Sequence, residues 1–148
     1  MALLPALAWL SAPDAKNSVS GGATVAIVVV QDDPAAEARL AAYRSAAGLP
    51  ACTSANGCFA KVNQAGRPSP LPVTVPAGGD TAEHDLERAS ALCPACKILV
   101  VEAASSDMTD LAMARSAALA RGAAVVDDGG ELALDYEAAS TGGAFDVR

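Results

Sequence analysis

Residues 24–64 constrain the fold more than any other stretch, because a buried strand, a capped helix and a short cysteine loop follow one another with no spare chain between them. The run TVAIVVV, Thr24–Val30, is continuously β-branched or small and apolar, which suits a strand covered on both faces, as in a parallel sheet. Asp33 offers a side-chain oxygen as helix N-cap. Pro34 fits the first helical position, where its missing N–H would have had no partner. The spacing predicts a helix to about residue 47, with Ala36, Leu40, Tyr43 and Ala47 on one face and Gly48 closing it. Strand, tight turn and helix open a βαβ layer.

The alternation continues. Residues 73–75 suit a short strand between proline-rich segments. A helix is expected over about 81–92, a strand over 97–102, a helix over about 107–121 and a strand over 123–126. Asp80 and Glu83 have the spacing of a capping box. Ala82, Leu86, Ala89 and Cys93 form one sheet-facing stripe, and Leu111, Ala114, Ala118 and Arg121 mark the next helix, ended by Gly122. Crossovers of this kind are nearly always right-handed, so the expected fold class is α/β, a mostly parallel sheet flanked by helices. The sequence contains no internal repeat, heptad pattern or glycine-rich phosphate loop.

Within 148 residues there is room for one domain with its own core, expected over 23–148 behind an N-terminal segment and linker at 1–22. The 17 acidic side chains outnumber the 10 basic ones, for a net charge of -7, and no basic cluster occurs, which argues against nucleic acid as a partner. Alanine supplies 36 of the residues behind the 52% hydrophobic figure, and it favours helices but buries little area, so a shallow core is expected. No segment approaches the roughly eighteen apolar residues of a membrane span. Residues 2–10 are apolar like the middle of a signal peptide, yet they lack a positive n-region and Pro5 interrupts them.

Four cysteines fall into two close pairs, Cys52 with Cys58 and Cys93 with Cys96. The even count and local spacing favour two small disulfide loops in an oxidising compartment. Zinc is the weaker reading, because the first spacing is too wide for a zinc knuckle. Cys93-Pro94-Ala95-Cys96 has thioredoxin-motif spacing but lies between a helix end and a strand start. A redox pair would open a helix, where the dipole lowers the thiol pKa.

The run TVAIV, then DDP, then LAAYRSAAGLPACTSANGCFAKVNQ, and later ALCPACKILVVEAASS with RGAAVV, resembles the N-terminal part of the sedolisin family over about residues 24–130. These serine-carboxyl peptidases have a subtilisin-like fold, so the resemblance implies a partial subtilisin-like domain and an acid-active serine-type endopeptidase ancestry. In that family a glutamate activates the serine, an aspartate orients the glutamate, and a second aspartate lines the oxyanion hole. Carboxylates replace histidine because imidazole is fully protonated at low pH and useless as a base. The family also implies a peptide or protein substrate, secretion, and a calcium site in its C-terminal part. No cofactor or metal ligand set is therefore expected in residues 1–148.

Anchoring on Ser90-Ala91-Leu92-Cys93-Pro94 sets the family's catalytic aspartate at Asp85 and its glutamate, four positions earlier, at Thr81. Threonine cannot serve as a general base at any useful pH. Asp80 stands next to Thr81 but is turned about 100° around the helix. The family's tryptophan falls on Gly78, and its aspartate after the first strand falls on Val29. The S-G-D-x-G and G-T-S segments that carry the oxyanion aspartate and the nucleophile do not occur in residues 1–148, where the corresponding strand reads Val125-Val126-Asp127-Asp128-Gly129-Gly130.

The remaining chemistry-bearing residues have plain readings. Asp85 serves as a solvated helix acid. His84 does not face its acidic neighbours, because adjacent residues on a helix diverge. Asp127 and Asp128 form a polar turn after the last strand, Ser105 and Ser106 cap a helix, and Tyr43 and Phe59 belong to the core. The expected function is a truncated or degenerate sedolisin-type peptidase, inactive as an isolated chain. The alternative is a non-catalytic α/β interaction module on the front half of that fold, with a partner covering an open sheet edge.

Overall fold

The structure, a computed structural model, describes residues 22–74 and 83–127. Its elements run β1 (Thr24–Val30), α1 (Ala36–Ala46), β2 (Phe59–Asn63), α2 (Glu83–Leu92), β3 (Lys97–Ala103), α3 (Met108–Ala120) and β4 (Ala123–Asp127). The strands form one four-stranded sheet in the order β2-β3-β1-β4, and every pairing is parallel. The expected α/β class, a parallel sheet flanked by helices, is what the chain adopts.

Side-chain alternation divides the sheet into two faces. Val25 and Ile27 of β1, Phe59 of β2, Ile98 and Val100 of β3 and Val125 of β4 pack with Ala36 and Leu40 of α1 and with Leu86 and Ala89 of α2. Ala26, Val28, Val62, Leu99, Val101 and Val126 point the other way, against Ala114 and Ala118 of α3. The two central strands, β1 and β3, are therefore apolar on both sides, as their continuous hydrophobic runs require. Alanines on α3 let that helix lie close to the sheet, so little volume is left to fill.

Strand β2 was not legible in the sequence reading. FAKVN is short and carries a lysine and an asparagine, and only Phe59 and Val62 are buried. It gains its place by pairing with β3 from Phe59↔Ile98 to Asn63↔Glu102. The strand expected at 73–75 reduces to one bridge, Asp32↔Thr74, with Val75 outside the described residues.

Helix α1 corrects two expectations. Its buried positions are Ala36, Leu40 and Arg44, whereas Tyr43 is only half-buried and Ala47 is exposed. The stripe follows i, i+4, i+8, and an arginine takes the third place. Arg44 is 2% exposed and spends its guanidinium on three parts of the chain: Nε donates to the Pro50 carbonyl (2.6 Å), one terminal nitrogen to Ser90 Oγ of α2 (3.2 Å), and the other to the Pro94 carbonyl (2.8 Å). Asp33 does not cap α1 in the expected way. The helix starts later, and Asp33 accepts from the Ala35 N–H (3.1 Å) and from Arg39 (2.7 Å). Leu86, Ala89 and Cys93 are buried as expected on α2, while Ala82 and the capping pair's Asp80 lie outside the described residues. On α3, Ala114 and Ala118 face the sheet, Leu111 is half-buried, and Arg121 is exposed while donating to the Gly66 carbonyl.

Both cysteine pairs are disulfides, Cys52–Cys58 and Cys93–Cys96, and there are no free cysteines. Asn56 closes the first loop, accepting from the N–H groups of Thr53 and Cys58, and Glu37 of α1 anchors it by accepting from the Ser54 N–H (2.7 Å). Cys52, Cys93 and Cys96 are buried beneath α1 and α2, so the sulfurs supply part of the volume that an alanine-rich core lacks.

Replacing Arg44 with methionine is expected to lower stability by about 3 kcal/mol, because the buried Ser90 hydroxyl and two part-buried carbonyls lose a charged donor. A shift of the urea midpoint at constant slope checks this. Reduction of the disulfides is expected to cost about 2 kcal/mol for each bridge, since both loops are short. An unchanged melting temperature on reduction would contradict it.

Candidate functional site

The strand order generates a crevice. From β1 the chain leaves through α1 towards β2, and from β3 it leaves through α3 towards β4, on opposite faces of the sheet. Adjacent parallel strands whose connections part in this way open a gap beyond their C-terminal ends, where α/β proteins place their ligands. β1 and β3 are such a pair, and their ends hold the main ionisable cluster of the described chain.

Alternation along each strand brings the cluster together. Glu102 follows Ile98 and Val100 on the α1/α2 face of β3, and Lys61 follows Phe59 on the same face of β2. Asp127 follows Val125 on that face of β4. Asp32 comes from the turn after β1. Gln31 sits there at φ 68°, in the left-handed region that costs a non-glycine residue on the order of 1 kcal/mol, and its N–H bonds the Ala103 carbonyl at the end of β3 (2.8 Å). That conformation turns the chain so that Asp32 meets Lys61.

Lys61 Nζ donates to Asp32 Oδ1 (2.6 Å) and to the Asp33 carbonyl (3.2 Å), and stands 3.6 Å from Glu102 Oε1. Glu102 is 0% exposed, and neither of its oxygens has a hydrogen-bond partner; the Lys61 contact is an ion-pair distance only. Burial pushes the Glu102 carboxyl up to about 8. Asp32 pushes in the same direction, and Lys61 pulls back without prevailing. For Lys61, burial favours the neutral amine. The Asp32 hydrogen bond and the charges of Glu102 and Asp32 outweigh it and hold the ammonium above its ordinary value. Below about pH 8 Glu102 is therefore a neutral carboxylic acid beside the Lys61 ammonium, which is hydrogen-bonded to Asp32.

The residues singled out from sequence fall as follows. Asp85 lies in the first turn of α2, half-buried, on a helix that packs on the same face as the cluster. Thr81 lies outside the described residues, as do Asp80 and Asp128. Asp127 is not in a polar turn: it ends β4 and is 2% exposed. Ser105 does order the start of α3, accepting from the Asp107 N–H and donating to Asp110 Oδ2. Gln64 also donates to Asp110, and with Ser105 it holds that carboxyl below its ordinary value. His84 is exposed. Sequence reasoning missed Glu102, Lys61 and Asp32. The available signal was a glutamate interrupting the apolar run KILVVEA, which is costly inside a parallel sheet unless something receives it.

Among the described residues no hydroxyl hydrogen-bonds to Asp32, Lys61 or Glu102, and no three His, Cys, Asp or Glu side chains converge as metal ligands. No described helix is long and apolar enough to cross a membrane. A shallow open groove lined by Gln64, Met108 and Met113 runs along α3, on the other side of the sheet. The cluster can hold and exchange a proton and orient a polar group; by itself it supplies no nucleophile. Fold and site together define a parallel α/β protein with a buried acid–ammonium cluster at its switch-point crevice. No family model, curated protein or solved structure matches the chain.

Exchanging Lys61 for methionine is expected to destabilise the chain by about 2 kcal/mol, leaving Asp32 without its closest cation. In a double-mutant cycle with Asp32→Asn the two changes should be non-additive by about 1 kcal/mol. Additive losses would mean that the 2.6 Å contact is energetically idle.

Proposed function

We propose that this chain is the aspartate-bearing front part of a sedolisin-type serine-carboxyl peptidase domain, secreted, and unable to cleave peptides by itself. The observation that carries the reading is the collection of ionisable groups at the C-terminal ends of a parallel 2-3-1-4 sheet, with α2, the helix of Asp85, packed over the same face. The motif series from TVAIV through CPACKIL supports it from the sequence side, and the two disulfides suit an oxidising compartment. Asp85 takes the role of the orienting aspartate. Its partner position holds Thr81, which has no basic group to take the serine proton. Activity then depends on a nucleophile and an oxyanion aspartate that residues 1–148 do not contain. Substrates would be peptides or proteins, bound across the crevice.

The purified chain is expected to show no proteolysis of denatured casein between pH 3 and 5. Robust cleavage blocked by a peptide aldehyde would overturn the incompetence of the chain. The coding DNA beyond codon 148, translated in all three frames, is expected to contain S-G-D-x-G and G-T-S segments. If neither occurs, the non-catalytic interaction module becomes the better reading. One feature favours that second reading: Lys61 and Asp32 already satisfy each other within the chain, as in a scaffold. Such a module must be monodisperse after oxidative refolding.

A further inference from the structure

We propose that Glu102 is a proton-binding site built into the sheet, that the fold holds it as the neutral acid, and that losing this proton loosens the joint between β3, β2 and the turn after β1. The proposal stands on the geometry of one side chain and owes nothing to the peptidase reading. Glu102 is sealed from solvent and neither oxygen is hydrogen-bonded. Its nearest cation, Lys61, is a full ångström closer to Asp32, at 2.6 Å against 3.6 Å. The two arginines of α1, on this face, are committed: Arg39 to Asp33, and Arg44 to Pro50, Ser90 and Pro94. Ionised Glu102 would leave two carboxylates competing for one ammonium, with Glu102 itself withdrawn from bulk solvent.

Among the described residues, the charged and titratable groups on the elements around it are Asp32 and Asp33 after β1, Glu37, Arg39, Tyr43 and Arg44 on α1, Lys61 on β2, Lys97 at the start of β3, Asp127 on β4, and Glu83, His84, Asp85, Glu87 and Arg88 on α2. His84 is exposed.

The direction of the pH effect follows from where the proton sits. In the unfolded chain Glu102 releases it near pH 4.5, whereas in the fold it keeps it to about pH 8. The stabilisation is fully present below about 4.5 and is lost as pH rises through 8, because over that interval only the folded chain binds the proton. Lys61, also raised, contributes in the same sense but at higher pH. Asp110, lowered, contributes in the opposite sense and only in stronger acid. Between pH 5 and 9 the slope belongs chiefly to Glu102, and the chain is firmest in acid.

The test is thermal melting from pH 5 to pH 9 for the native chain and for Glu102→Gln, which keeps the shape of the neutral acid. The native melting temperature is expected to fall on the order of 10 °C across this range, and the glutamine variant is expected to lose most of that slope and to exceed the native chain at pH 9. Parallel profiles for the two proteins would overturn the proposal. Should the variant fail to fold, isotope-edited infrared spectra of the native chain labelled at glutamate carboxyls decide the matter. One protonated glutamate is expected at pH 6.5, disappearing by pH 9, and a spectrum with every glutamate ionised at pH 6.5 would overturn it.

Discussion

The parallel pairing of β1 with β3 is the constraint on which the rest depends. Seven residues of each strand align, from Thr24↔Lys97 to Val30↔Ala103, and both strands are apolar on both faces. Such strands are stable only when helices cover both sides, and the two crossovers supply them by leaving in opposite directions. The crevice beyond the strand ends is then a topological necessity. What the sequence adds is the choice of what to put there: a glutamate at the end of β3, a lysine near the end of β2, and an aspartate presented by a left-handed Gln31.

A core rich in alanine and poor in aromatic side chains buries little area per residue, and the fold compensates with directional contacts. Arg44 binds α1, α2 and the loop before β3 through three hydrogen bonds from one buried cation. The disulfides stiffen the segments at either end of that contact, before β2 and between α2 and β3. Polar fastening of this kind is geometrically specific where alanine packing is not, so it fixes the relation of the helices to the sheet more sharply than the core does.

Much of this was legible in the sequence. The continuous apolar run of β1, the helix punctuation by Gly48 and Gly122, and the alternation of helix and strand after residue 83 follow from local rules that tertiary context did not overturn. The cysteine pairing followed from spacing. Strand β2 was missed because FAKVN has a weak local signal and exists through its ladder with β3. Arg44 was missed because its burial depends on carbonyls 6 and 50 residues away in sequence. The ionisable cluster was missed for the same reason: Glu102 in KILVVEA looked like the polar end of a strand, and Asp127 like part of a turn. Only the sheet order brings Asp32, Lys61 and Glu102 to one place, and no local pattern encodes that order.

The locality of the two disulfides bears on how the chain reaches this fold. Each closes over a few residues, 6 and 3 apart in sequence, whereas the β1–β3 ladder joins segments separated by more than half the described chain. Short loops keep their two thiols close even in the unfolded chain, so neither bridge needs the sheet in order to form. Neither bridge links one crossover unit to another, and neither dictates strand order. Oxidation therefore stiffens the pieces without choosing the topology, whereas the wrong cysteine pairings need distant segments to meet.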